Sequence, residues 1–125
     1  KTTIETVAAG PFAGPMVVSM RAIPKHQLEK IKIISAQFPL AHGAPVHWGN
    51  PESIGITDIN SPDWGDPAPV SDDEVAVFWA CGVTPQVAVM SAATPLCITH
   101  KPGQMLITDI RDTADTPISA PASNG

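Results

Sequence analysis

The sequence predicts an α/β fold in which a small strand–helix–strand lobe is followed by a βαβ unit with parallel strands in a mixed sheet. Residues 75–80 are apolar and rich in strand formers, as in a strand covered on both faces. Thr84 and Pro85 then form a helix start, with a hydroxyl cap and a first-turn proline. Fifteen residues separate Ala80 from Leu96, which exceeds the roughly 12 that a right-handed parallel crossover needs.

The amino-terminal part of the chain predicts the small lobe. Residues 16–20 predict a strand. A helix is expected over 24–38, because apolar side chains recur at helical spacing at Leu28, Ile31, Ile34 and Phe38. A short strand at 44–48 and a further extended piece at 54–59 complete this lobe.

The remainder of the chain predicts a second lobe and a tail. Residues 60–73 are rich in proline and aspartate and predict a surface loop. After the strand at 75–80, we expect a helix at 85–93 and strands at 96–100 and 105–110. The predicted organisation has three parts. A small α/β lobe with an extended lead-in spans 1–65, and a strand–loop–helix–strand lobe that carries the site spans 66–112. A flexible or partner-docking tail spans 113–125.

Composition excludes several classes of function. A net charge of −5 without a basic stripe argues against nucleic-acid binding. No apolar run approaches the length that spans a bilayer, so no membrane partner is predicted. Cys81 and Cys97 lack a CxxC spacing, which favours reduced thiols in the cytoplasm, with the mitochondrial matrix as the alternative. Only 15% of the residues are charged, which suits a surface partly covered by another chain.

The predicted parallel strands would bring reactive side chains to one edge of the sheet. Cys81 and His100 would both lie at carboxyl ends of neighbouring strands, where open α/β sheets bind ligands, with Thr84 and Lys101 nearby. A nucleophilic Cys–His pair is one interpretation, because histidine and a helix start together favour the thiolate. The alternatives are that Cys81 is a small residue fitted to a tight turn and that His100 is a structural histidine.

Further positions could bind a carboxylated substrate. The helix start near Gln86 offers free N–H groups to an anion. Arg21 follows the first strand, and its planar guanidinium suits a bidentate carboxylate contact, with a surface or interface salt bridge as the alternative. Asp63 and Asp66 lie on either side of Trp64 in the acidic loop, and either contributes to the site or belongs to a solvated loop.

Two histidines in the small lobe are candidate catalytic groups. His42 and His47 are five residues apart, and on a strand they would point to opposite faces, so no shared metal ion is predicted. Either could approach the substrate from the small lobe, because the loop between them contains glycine and proline. For His42, an ordinary turn residue is the alternative.

Four stretches resemble the D-glutamate cyclase and hydro-lyase family in the same order along the chain. The most specific is FWACGVTPQ at 78–86, and the others are GPFAGPMVVSMRAIP, HGAPVHWGNPESIGI and ITHKPGQMLITDI, which begin at Gly10, His42 and Ile98. They lie within residues 2–110. Members of that family are longer, and this chain resembles their carboxyl-terminal half.

The resemblance implies an enzyme of amino acid metabolism that works without a metal ion or cofactor. The implied activity is a carbon–oxygen lyase that removes water from a small amino acid and converts D-glutamate to 5-oxo-D-proline. It also implies a second polypeptide, resembling the family's amino-terminal half, in a hetero-oligomer. The alternatives are an amide or lactam hydrolase, another small-molecule enzyme on the same scaffold, or a non-catalytic partner subunit.

Overall fold

The fold is described here from a computed structural model that covers residues 1–104 and 107–109. Its centre is a three-stranded antiparallel sheet in the order β1–β3–β2. Two helices accompany the sheet, so the predicted mixed α/β class is confirmed. In chain order the elements are β1 (Val18–Pro24), α1 (Leu28–Ala36), β2 (His47–Trp48), β3 (Glu74–Ala80) and α2 (Val83–Ser91).

β3 lies in the middle of the sheet because it is apolar on both faces. Val77 and Phe78 are fully buried, and β1 pairs with the whole of β3, starting with Val18 opposite Ala80. On the other edge of β3, the two residues of β2 pair with Phe78 and Val77. The sheet therefore combines strands from both predicted lobes.

The two faces of the sheet are covered differently. On one face, Phe78 and Ala76 pack with Ile54 in the main apolar cluster of the described residues. α1 lies over the opposite face, where the Lys32 ammonium sits 3.9 Å from the centre of the Trp48 ring. A cation at this distance from an aromatic face is attracted by the ring quadrupole, which helps to hold α1 on the sheet.

The predicted parallel βαβ unit is not confirmed and has to be corrected. Residues 96–100 form no strand and are exposed. The reason lies in β3, whose second edge is already hydrogen-bonded. Its outward carbonyl groups at Ala76, Phe78 and Ala80 accept bonds from Gly49 N–H, Val46 N–H and His42 Nδ1. A short apolar run does not by itself distinguish a strand from exposed chain.

Smaller corrections concern the extents of other predicted elements. The strand predicted at 44–48 is reduced to β2, and the piece at 54–59 is not a strand. Instead, Pro51–Ile54 form a 3₁₀ helix whose first turn is capped by Asn50, because its side-chain oxygen accepts a bond from Glu52 N–H at 3.1 Å. This turn buries Ile54 in the core.

The last predicted elements lie mostly outside the described residues. Of the strand predicted at 105–110, only 107–109 are described, and they are not in a strand. The tail predicted at 113–125 lies outside the described residues altogether. Within the described part of the chain, no helix is both long enough and apolar enough to cross a bilayer.

Candidate active site

A cavity of about 760 Å³ runs along the outer edge of β1. β1 is an edge strand, and consecutive residues from Val17 to Arg21 form one wall. The loop around Trp64, the end of β3 and residues 101–103 form the other walls. A cavity of this volume is large enough for a small-molecule ligand.

Four of the residues predicted from the sequence line this cavity: Arg21, Asp66, Cys81 and Lys101. Its charged lining therefore consists of two cations and one carboxylate. That balance is unusual in this chain, which has twelve acidic and only seven basic residues. The cavity is a local site of positive charge on an acidic protein, and this favours an anionic ligand.

Arg21 is free to contact such a ligand. Its side chain is exposed and donates one hydrogen bond to the carbonyl oxygen of Met20, at 2.8 Å. Among the described residues, no carboxylate lies within salt-bridge distance of its guanidinium. The predicted alternative of a surface salt bridge is thus not realised in the described part of the chain, and most of the guanidinium donors stay available.

Cys81 is fixed at the cavity wall by backbone bonds. Its N–H donates to the carbonyl oxygen of Val17 at 3.0 Å, which continues the pairing of β1 with β3 by one residue. The residue is half-buried and the thiol is free. A tight position directly after the strand agrees with the interpretation of Cys81 as a small residue that fits the turn.

Thr84 lies behind the cavity wall and does not cap α2. The helix starts at Val83, and its N-cap position is Gly82, which supplies no side-chain bond. The Thr84 hydroxyl instead accepts a bond from Val17 N–H at 2.9 Å and donates one to Val17 O at 3.0 Å. The prediction of a hydroxyl cap is therefore wrong, and Thr84 ties α2 to the start of β1.

Gln86 and His100 contact each other but do not line the large cavity. The Gln86 amide donates to the carbonyl oxygen of His100 at 3.1 Å. The His100 Nδ1 atom lies 2.8 Å from Gln104 O and 3.1 Å from Lys101 O, and because carbonyl oxygens only accept, Nδ1 carries the proton. These bonds hold the loop that places Lys101 at the cavity.

His42 lies at a second cavity of about 330 Å³, between α1 and the sheet. The His42 Nδ1 donates to the carbonyl oxygen of Ala80 at 2.6 Å, and Ala80 is the residue before Cys81. Nε2 is the ring nitrogen that this bond does not use. Ser19 and Arg21 line both this cavity and the large one. Arg21 is therefore within reach of ligands on either side of β1.

His47 and Asp63 make contacts that hold the fold together. The His47 Nε2 donates to Asn50 O at 2.8 Å, and its ring packs on Phe78 at a centroid distance of 5.8 Å. Asp63 accepts a bond from the amino-terminal ammonium of Lys1 at 2.5 Å, and this bond lowers the pKa of the Asp63 carboxyl. Asp63 lines a separate cavity of about 360 Å³, so the structure places only Asp66 of the acidic pair at the large cavity.

Among the residues that line the large cavity, sequence reasoning missed the hydroxyl of Ser19 and the aromatic side chain of Trp64. Ser19 lies two positions before Arg21 on β1, so both side chains project from the same face of the strand. The spacing of two residues was the available signal. Trp64 was noted only as the neighbour of the aspartates, and its ring also lines the cavity.

Possible metal-ligating side chains are dispersed over the part of the chain that the structure covers. No group of three or more His, Cys, Asp or Glu side chains converges there to hold an ion. The chemical groups that do converge are a guanidinium, an ammonium, a carboxylate and a thiol. Such a set can bind a small amino acid and exchange protons with it.

The fold is a small α/β domain with a cavity that brings a guanidinium, an ammonium and a carboxylate together. Comparison with known sequences defines its family. The chain belongs to the D-glutamate cyclase family, whose model matches residues 1–109. Its relatives include a protein from Dinoroseobacter shibae named "Putative hydro-lyase", which is 62% identical over 97% of this chain and 40% of its own length.

Other relatives with the same kind of name come from further bacteria. One from Ruegeria pomeroyi is 60% identical over 94% of this chain and 43% of its own length. One from Bacillus velezensis is 56% identical over 90% of this chain and 42% of its own length. The chain thus spans about two fifths of the length of the curated relatives that it matches.

Proposed function

We propose that this chain provides a substrate-binding part of a hydro-lyase that closes D-glutamate to 5-oxo-D-proline with loss of water. The observation that carries the proposal is the charge pattern of the large cavity. D-glutamate has two carboxylates and one ammonium group, and the cavity lining has two cations and one carboxylate, at Arg21, Lys101 and Asp66. Family membership and the hydro-lyase names of the relatives support the same reaction class.

The reaction forms a C–N bond and breaks a C–O bond within one molecule. The amine attacks the side-chain carboxyl carbon, and one oxygen of that carboxyl leaves as water. The nitrogen loses two protons, and both end on the departing oxygen, so no external acid or base is consumed. The site must therefore move protons and stabilise a tetrahedral oxyanion.

Each charged residue of the cavity can be given a role in this chemistry. The guanidinium fork of Arg21 suits a bidentate contact with the α-carboxylate. The compact ammonium of Lys101 suits the oxyanion that develops on the side-chain carboxyl. The Asp66 carboxylate can hold the substrate ammonium and accept its first proton, and His42, at the neighbouring cavity that Arg21 also lines, is a candidate for the second transfer.

The test measures 5-oxo-D-proline formation from D-glutamate by chiral chromatography, with the chain co-expressed with the part of the Dinoroseobacter shibae relative that it does not match. Arg21→Ala should lower kcat/KM by about 10- to 100-fold, because a charge-assisted hydrogen bond contributes about 1.5–3 kcal/mol. Arg21→Lys is the matched control, since it keeps the charge but not the fork, and it should recover part of the loss. D-2-aminobutyrate, which lacks the second carboxylate, should compete weakly.

Two results would refute the proposal. One is the absence of 5-oxo-D-proline from an assembled, folded enzyme that turns over another substrate in a panel of lactams and hydroxy acids. The other is an Arg21→Ala variant with unchanged kcat/KM for D-glutamate.

A further inference from the structure

We infer that the apolar surface from α2 to Ile98 is where the rest of the family's fold docks on this chain. The occupant is the polypeptide that corresponds to the part of the curated relatives that this chain does not match. The inference deepens the proposed function by naming a partner surface. It rests on the proposed function only in that both depend on the chain's membership of the D-glutamate cyclase family.

The first observation is a long stretch without charge. From Val75 to Thr99 there is no aspartate, glutamate, lysine, arginine or histidine. β3 accounts for the first part, because a central strand is apolar on both faces. That explanation does not apply to α2 and residues 92–99, because they do not lie inside a sheet. A helix on the surface of a protein normally has a polar face.

The second observation is that this apolar segment is exposed. Val83 is the only buried residue of α2. Met90, Leu96 and Ile98 are 79%, 78% and 89% exposed. Large apolar side chains that are this exposed, at three positions of one uncharged segment, indicate an interaction site.

Polar bonds help to fix the position of this segment. Thr84 ties the start of α2 to Val17, and Gln86 binds the carbonyl oxygen of His100 beyond the far end of the segment. The apolar side chains are therefore held in place without being covered by the described residues. A surface positioned in this way is preorganised, which lowers the entropic cost of binding.

The length of the relatives indicates which partner covers the surface. The segment lies within the residues that match the family model. In the Dinoroseobacter shibae relative, the matching region is only 40% of the chain. In such a relative the remaining polypeptide is part of the same chain, so it can cover the corresponding surface without requiring a second copy.

Docking at this surface would also complete the cavity. Val83, at the start of α2, and Lys101, just after Ile98, both line the large cavity. The apolar segment connects these two residues. A polypeptide bound to it lies beside the open cavity and can contribute residues to the substrate site.

The test is co-expression of the tagged chain with the unmatched portion of the Dinoroseobacter shibae relative, read out by co-purification and by light scattering. We expect a 1:1 complex. Met90→Lys and Leu96→Ser should each lower the captured amount at least tenfold. Ile33→Lys is the matched control, because Ile33 is an apolar side chain on α1 that is 64% exposed, and it should leave capture unchanged. Circular dichroism of each variant checks folding.

Several results would overturn the inference. One is no complex with the wild-type chain, and another is equal capture by the Met90→Lys and Ile33→Lys variants. Dimers of the chain alone that Met90→Lys dissociates would assign the surface to a second copy. Slow amide exchange of α2 in the isolated chain would assign it to another part of the same chain. A complex that forms but does not cyclise D-glutamate would refute the proposed function and leave the docking surface intact.

Discussion

Thr84 shows how one side chain can serve a different purpose from the one its sequence context indicates. Thr-Pro is a typical helix start, but the Thr84 hydroxyl is bonded on both sides to the backbone of Val17. Val17 is 3% exposed, so water cannot replace these bonds. The carbonyl oxygen of Val17 also accepts the Cys81 N–H. The backbone of Val17 thus joins the start of β1 to α2 through the Thr84 hydroxyl and to the end of β3 through the Cys81 N–H.

Thr84→Val should lower the free energy of unfolding by about 1–3 kcal/mol, because it removes both bonds at nearly constant volume and leaves a buried N–H without a partner. Urea denaturation measures the change. Thr99→Val is the control, since Thr99 is exposed and its hydroxyl bonds only to the neighbouring carbonyl of His100. The control should change stability by less than about 0.5 kcal/mol. Equal effects of the two substitutions would contradict the role given to Thr84.

Cys81 can be tested separately at the same wall. The sequence left open a nucleophilic Cys–His pair, but His100 does not line the cavity and its Nδ1 is bonded to backbone carbonyls. Cys81→Ser should therefore retain turnover within about tenfold of wild type, whereas loss of a true nucleophile costs several orders of magnitude. A steady-state assay with D-glutamate decides between these results, and a near-complete loss would restore the nucleophile.

At the scale of elements, the short 3₁₀ helix Pro51–Ile54 brings Ile54 into the core and depends on the glycine that ends it. Gly55 has a φ of +79°, in the left-handed region. A Cβ at this position would also overlap the Thr3 side chain. Both effects disfavour any other residue.

Gly55→Ala should lower the free energy of unfolding by more than about 1 kcal/mol, because the left-handed backbone alone costs roughly that much for a residue with a Cβ. Gly82→Ala is the matched control. Gly82 has a φ of −60°, and a Cβ there would meet no atom within 4 Å. The control should be neutral or slightly stabilising. Denaturation midpoints that shift equally for both variants would show that the turn does not constrain Gly55.

At the scale of the whole molecule, the described residues bury little apolar side chain for a chain of 125 residues. Phe78 and Val77 are the largest fully buried side chains. Phe78 lies at the centre of the core cluster with Ile54 and Ala76. The stability of the fold therefore depends strongly on one aromatic residue.

Phe78→Ala should cost about 3–5 kcal/mol, the usual loss for a buried phenylalanine. Because small domains are stable by only about 5–15 kcal/mol, this substitution should remove a large share of the free energy of unfolding. Far-UV circular dichroism and urea denaturation measure the loss. Phe12→Ala, at a position 38% exposed, should retain a cooperative transition. A stable Phe78→Ala variant would place the main core elsewhere.

The candidate site was predictable in its residue types and only partly in its geometry. Arg21, Asp66, Cys81 and Lys101 were identified because charged and reactive residues next to strands and turns are few in this chain, and the structure places all four at one cavity. The predicted partnership of Cys81 with His100 depended on a parallel strand pair. Without that pair, the sequence gives no reason for the two side chains to meet.

The sequence by itself determined the mixed α/β class, the apolar central strand, the two helices and the family. These follow from local periodicity, from turn residues and from ordered motifs, all of which are local features of the sequence. Only the tertiary structure decided that the sheet is antiparallel, that Thr84 binds Val17 and that residues 96–100 stay outside the sheet. Those outcomes depend on which segments form hydrogen bonds with the two edges of β3. Residues 46–49 and His42 form the hydrogen bonds at the second edge of β3. The local sequence of residues 96–100 contains no signal that this edge is already occupied.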